Sequence, residues 1–173
     1  MRSHAGPPVI GAKAGGVVPR KAVKRTNSVQ PDAPTWLDLR SLAHARASSE
    51  DHMHRIDHAL SADTQAHWRA AEPGEQVIEL HFRQPHHLRR IRLVFVEKVA
   101  GRTQQFTIRW SARRGEVHGE VVRQQFNFSP SGATCEIEDY RVDLPDVERL
   151  EIRVVPDIGD PRAFASLTHL QLG

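Results

Sequence analysis

Residues 77–95 read VIELHFRQPHHLRRIRLVF. Ile78, Leu80 and Phe82 alternate with Glu79 and His81; Ile91, Leu93 and Phe95 alternate with Arg90 and Arg92. A period of two buries one face of an extended chain and wets the other. The stretch therefore predicts two half-buried strands, with a turn at Gln84-Pro85 between them.

The same period continues outward. Phe106, Ile108 and Trp110 alternate with Thr107 and Arg109, and Val122, Phe126 and Phe128 keep step around Gln125 and Asn127. Leu150, Ile152 and Val154 alternate with Glu151 and Arg153, and Leu170 and Leu172 flank Gln171. Cys135 and Ile137 alternate with Glu136 and Glu138, which places the single cysteine in a strand interior as a small hydrophobe. From Ile137 to Tyr140 and Val142 the apolar register moves from odd to even, which predicts a bulge or a change of sheet. Turn signals separate the runs at Ala100-Gly101, Arg114-Gly115, 129–132, Leu144-Pro145-Asp146 and 156–161. Six to eight short strands at this spacing make an all-β fold, an antiparallel β-sandwich of jelly-roll type. No helical crossover of adequate length lies between strands, which disfavours a parallel sheet.

The segment ahead of the sandwich is different. Residues 1–35 hold six cationic residues against Asp32 and no aromatic residue, so they carry +5 of a net charge of +3. The other 138 residues then carry −2. Such a stretch cannot bury enough apolar surface to offset the entropy of ordering it. The expected organisation is a flexible basic arm, 1–35, and a sandwich, 36–173. The charge excess belongs to the arm, so nucleic acid is not an expected partner of the folded domain. Within the arm, Arg20, Lys21, Lys24 and Arg25 are the candidates for docking onto an acidic surface. Leu42 to Ala47 is read as a short helix or turn, and 51–68 as an irregular, histidine-rich loop.

Further along, Ala47-Ser48-Ser49-Glu50, Ile56-Asp57-His58-Ala59-Leu60, Trp68-Arg69-Ala70 and Gly74-Glu75-Gln76 lead into the first long strand. Leu88–Phe95, Phe106–Ser111 and Ala165-Ser166-Leu167 to Leu172 follow. Over roughly 42–173 these segments resemble a discoidin-like (F5/8 type C, galactose-binding-like) domain. The resemblance implies a jelly-roll sandwich and a non-catalytic binding module for a glycan or other polar ligand. The alternative is a structural or adaptor protein whose arm docks into a larger assembly. Family members often hold calcium in the loop at 59–68. This chain keeps Asp63 there but lacks the family's first carboxylate, its Gly and its Thr. No cofactor is expected; calcium on Asp63 and Asp57 is the alternative.

The candidate ligand-binding residues are Trp68 and Arg69, as an aromatic face with a planar polar partner. A second group is Glu97, Arg102 and Gln104 with Arg123 and Gln124, if the loops bring them to one end. Each has a plainer reading: a tryptophan plugging the core, and an ion-paired network tying loops together. His52, His54 and His58 have no specific zinc spacing, and no metal is assigned. Nucleophile-elbow, P-loop, dinucleotide-binding and zinc-protease motifs are absent, so no enzyme is expected. No apolar run reaches the roughly 20 residues of a membrane helix. Lack of a disulfide framework and of a leader-like apolar segment gives a cytoplasmic expectation.

Overall fold

The computed structural model describes residues 35–61, 63, 65–112 and 119–173. The basic segment with Arg20, Lys21, Lys24 and Arg25 lies outside these residues. The elements in order are α1 (Leu39–Leu42), β1 (Ala43–Ala47), α2 (Ile56–Ala59), β2 (Trp68–Pro73), β3 (Gln76–Val96), β4 (Arg102–Ser111), β5 (Gly119–Phe128), β6 (Cys135–Val155), β7 (Phe164–Leu167) and β8 (His169–Leu172).

All pairings are antiparallel, and the strands form a sandwich. One path of strands runs β1-β3-β6-β4-β5, with β8 added on β3; β2 pairs with β7. β3 and β6 are long and pair along both halves. Gln76–His81 meets Arg149–Val154, and Arg90–Val96 meets Cys135–Arg141. Between them the register slips, from His81 through His86 and Leu88 to Arg90. Asp146, opposite this slip, has φ 53°, a left-handed backbone that Asp tolerates better than most residues. Pro85 and Pro145 fall in the same zone, where the ladder is broken and a missing N–H costs little. The sites read as turns at Gln84-Pro85 and Leu144-Pro145-Asp146 are therefore corners within continuous strands. Each long strand supplies both layers of the sandwich.

The core follows from this. Ile78, Leu80, Leu150, Ile152 and Val154 on one side of the corner, and Leu88, Ile91, Leu93 and Phe95 on the other, are buried in one cluster with Phe106, Ile108, Leu167, Leu170 and Leu172. Phe95 and Phe106 rings stand 5.3 Å apart across it. On the outer face, registers align Arg46, Glu79, Glu151, Arg109 and Glu120 in one row over five strands. The adjacent carboxylates Glu79 and Glu151 are bridged by Arg149, which bonds both. This pairing adds charge to a cross-strand register that the buried apolar face already specifies.

Two local expectations are corrected. Residues 43–47 are a strand, not a helix or turn, because Ala43, Ala45 and Ala47 lie opposite Phe82, Leu80 and Ile78 and share their inward face. Along 135–144 the inward positions are the even ones: Ile137 is 51% exposed and Cys135 is exposed. Pairing is regular from Arg141 to Cys135, and the register shifts only beyond it, between Arg141 and Leu144. The apparent register change arose because Cys135 and Ile137 are outward apolar residues. Glu136, Glu138 and Tyr140 are placed opposite buried Phe95, Leu93 and Ile91. Tyr140 donates to Glu138 at 2.6 Å, and burial first, then this carboxylate, raises the phenol's pKa.

Candidate functional site

The largest depression among the described clefts is about 920 Å³, between the loop 97–101, the segment 157–164 and strand β7. Its wall at 97–101 is shaped by Glu97. One carboxylate oxygen accepts the N–H groups of Val99 at 2.8 Å and Ala100 at 3.1 Å. The other pairs with Arg102 Nη2 at 3.2 Å. Arg102 Nη1 donates to the Phe164 carbonyl at 2.9 Å, and its guanidinium lies 5.9 Å from the Phe128 ring centre. The two side chains are only 7% and 15% exposed. Burial lowers the Arg102 pKa, opposed by Glu97 and Asp157. Removing either member of such a pair strands a buried charge. Arg102 and Glu97 therefore hold the cleft's shape by joining the 97–101 loop to β7.

Arg69 is placed differently. It is exposed on β2, with its guanidinium carbon 5.4 Å from the centre of the Phe164 ring. Phe164 is 38% exposed, one of few large apolar side chains in solvent. Around this pair stand Ser166, Thr168, Gln65 and His67. Burial, and then His54, lower the His67 pKa, which favours the neutral ring. A neutral imidazole offers one donor and one acceptor. The far rim carries Asp160 bonded to Arg162 through Nε at 2.9 Å and Nη2 at 3.1 Å. An exposed ring beside a guanidinium, with hydroxyls, an amide and a neutral imidazole nearby, is chemistry suited to a flat, hydroxyl-rich ligand.

The sequence candidates divide. Arg69, Glu97 and Arg102 meet at this cleft. Trp68 does not offer a face: it is fully buried and donates from Nε1 to the Ser49 carbonyl at 3.2 Å. The alternation of β2 turns Trp68 inward and Arg69 outward. Gln104 is buried, with an Oε1 that finds no donor among the described residues. Arg123 does not join them. It sits opposite Thr107, five residues along β4 from Arg102, or about 17 Å at strand spacing. There it is exposed and pairs with Glu120 at 3.3 Å. Gln124, exposed, neighbours it. No group of three or more metal-ligating side chains occurs among the described residues; His54 instead contacts Asp51 at 3.2 Å. Phe164, His67, Ser166 and Thr168 were missed. Phe164 directly precedes the Ala165-Ser166-Leu167 motif, and an aromatic at a strand start after a Pro-Gly-rich turn was the available signal.

With this geometry in view, the described residues have the β-sandwich fold seen in galactose-binding-like, discoidin-like modules. The model of the XRCC1 N terminal domain matches residues 40–105. No curated protein matches the chain in sequence. Solved structures of similar fold include the family 32 carbohydrate-binding module from C. perfringens NanJ in complex with galactose. It is 15% identical, with a TM-score of 0.60 over 80% of this chain and 97% of that one. The family 32 module of AlyQ in complex with 4,5-unsaturated mannuronic acid is 16% identical, with a TM-score of 0.59 over 80% and 98%. The chitosan-binding module 1 from a Paenibacillus chitosanase/glucanase is 18% identical, with a TM-score of 0.55 over 79% and 98%.

Proposed function

We propose that this domain is a non-catalytic binding module that holds a glycan in the cleft between loop 97–101 and β7. The observation that carries the reading is the exposed Phe164 ring beside Arg69, set among Ser166, Thr168 and His67. The similar modules from C. perfringens, AlyQ and Paenibacillus lend it support through the sugars in their names. In this reading Arg69 and the ring contact the sugar, while Arg102 and Glu97 keep the cleft open. A glycan array probed with the full chain tests it. Binding to a defined sugar set, lost in Phe164→Ala and Arg69→Ala but kept in Arg123→Ala, is expected. Silence on every glycan sinks the reading.

A second reading, an adaptor docking through Arg20, Lys21, Lys24 and Arg25, draws on the charge excess of the leading segment. Deleting residues 1–35 tests it: unchanged co-purifying partners and oligomeric state would remove it.

A further inference from the structure

Strand β1 ends the five-strand path, so one of its edges lacks a strand neighbour. Its register with β3, together with the bond from Ser48 N–H to the Val77 carbonyl at 2.8 Å, fixes which groups face that edge. In an antiparallel pair the bonded residues alternate. Ser48, Arg46 and His44 bond toward β3, so Ala43, Ala45 and Ala47 turn their backbone groups outward. Ala43 N–H closes α1 onto the Leu39 carbonyl at the helix end. The N–H groups of Ala45 and Ala47 find no acceptor among the described residues. A groove of about 530 Å³ runs along this edge, with α2 and its flanks as the opposite wall. Three alanines leave nothing on the strand to keep another backbone away.

The two sides of the groove differ. On the outer-face side stand Arg46 and Arg83, with Arg40 at the α1 end. Arg83 uses its Nε on the Ser41 carbonyl, and Arg40 and Arg46 have no acidic partner among the described residues. On the inner side stand Leu60, half-buried, and Ile56, already buried in the core. Of the two carboxylates present, Glu50 is already engaged by Arg55 at 3.4 Å and the Ile56 N–H at 2.9 Å, and Asp57 is exposed on α2, so four arginines face two acids.

We infer that this groove binds an acidic peptide in extended form, added as a strand on β1, with acidic side chains toward Arg40, Arg46 and Arg83 and the alternate apolar ones toward Leu60. Strand addition gives affinity through the main chain and selectivity through alternate side chains. Charge excludes two other occupants. The chain's own leading segment is strongly cationic. A second copy, paired edge to edge, would bring the same arginines face to face.

The test uses the full chain and a labelled nine-residue peptide of alternating Glu and Val, followed by fluorescence anisotropy. Saturable binding is expected, absent for the Lys–Val counterpart and weakened at least tenfold in Arg46→Glu. Ala45→Pro removes only an outward N–H, a position where an edge strand accepts proline. It should cost at least tenfold in affinity while the thermal midpoint holds. On the unaltered chain, peptide should slow amide exchange at Ala45 and Ala47. Should Ala45→Pro not fold, the exchange measurement still decides. Absence of saturation, peptide binding without protection at Ala45 and Ala47, or equal binding by a single-stranded oligonucleotide in both the parent and Ala45→Pro would each overturn the inference. So would a chain that dimerises through β1 and excludes the peptide.

Discussion

The end cleft and the groove along β1 are both lined by arginine, yet their arginines do different things. In the cleft, Arg102 is nearly sealed, bonded to Glu97 and to the Phe164 carbonyl, and Arg162 is tied to Asp160. Arg69 and Arg162 face outward, but Arg162 is engaged by Asp160, which leaves Arg69, over a ring, without an acidic partner among the described residues. Along β1, Arg40 and Arg46 are exposed and have no acidic partner among the described residues. A guanidinium that already has its hydrogen bonds is architecture; one that lacks them is available to a ligand. The cleft is thus a shaped, near-neutral site, and the groove an electropositive one.

Substitutions can break this contrast, and their effects differ in size. Trp68→Ala empties a fully buried site and should cost about 3–5 kcal/mol of unfolding free energy in urea titrations. Arg102→Ala leaves Glu97 buried without its partner, with an expected loss of about 3 kcal/mol or more by the same measurement. Phe164→Ala should change stability by about 1 kcal/mol or less, yet abolish glycan binding in the array. If instead Arg102→Ala were neutral in stability and lost only sugar binding, the division between scaffold and contact would fail. Arg123→Ala, at an exposed pair with Glu120, should stay within about 0.5 kcal/mol and leave both ligands bound.

The smallest effect concerns acid. A hydrogen bond from His81, ahead of Arg149, lowers the Glu79 pKa. The folded chain then keeps this charge to lower pH than the unfolded one. The resulting stabilisation is present above the ordinary glutamate range and is lost as pH falls through the folded value. Denaturation midpoints followed from pH 6 to pH 3 should fall less steeply in Glu79→Gln. An identical slope would show that neither the His81 bond nor the Arg149 bridge contributes there.

Much of the fold was legible because alternation is a local signal. Ile78 to Phe82, Ile91 to Phe95 and Leu150 to Val154 bury the faces that their spacing predicts. Two things were not local. Pro85 and Pro145 read as turns, because the sequence does not show that two strands bend together and share one corner. Cys135 and Ile137 read as inward because apolar residues define the register only when a core lies on their side. At the site, the sequence named Arg69, Glu97 and Arg102 but could not rank them. Whether a charged side chain is engaged or free depends on partners such as the Phe164 carbonyl, 62 residues away from Arg102. Trp68 left the site while Arg69 stayed for a simple reason: adjacent strand residues face opposite ways, and only the sheet decides which way is in.

The most direct test of the account is to map a bound sugar onto the domain. With the strongest binder from the array, backbone amide shifts in two-dimensional NMR should move at Arg69, Phe164, Ser166 and Thr168 and leave 43–47 and 119–125 in place. Shifts centred on β1 or β5, with the end cleft silent, would contradict it.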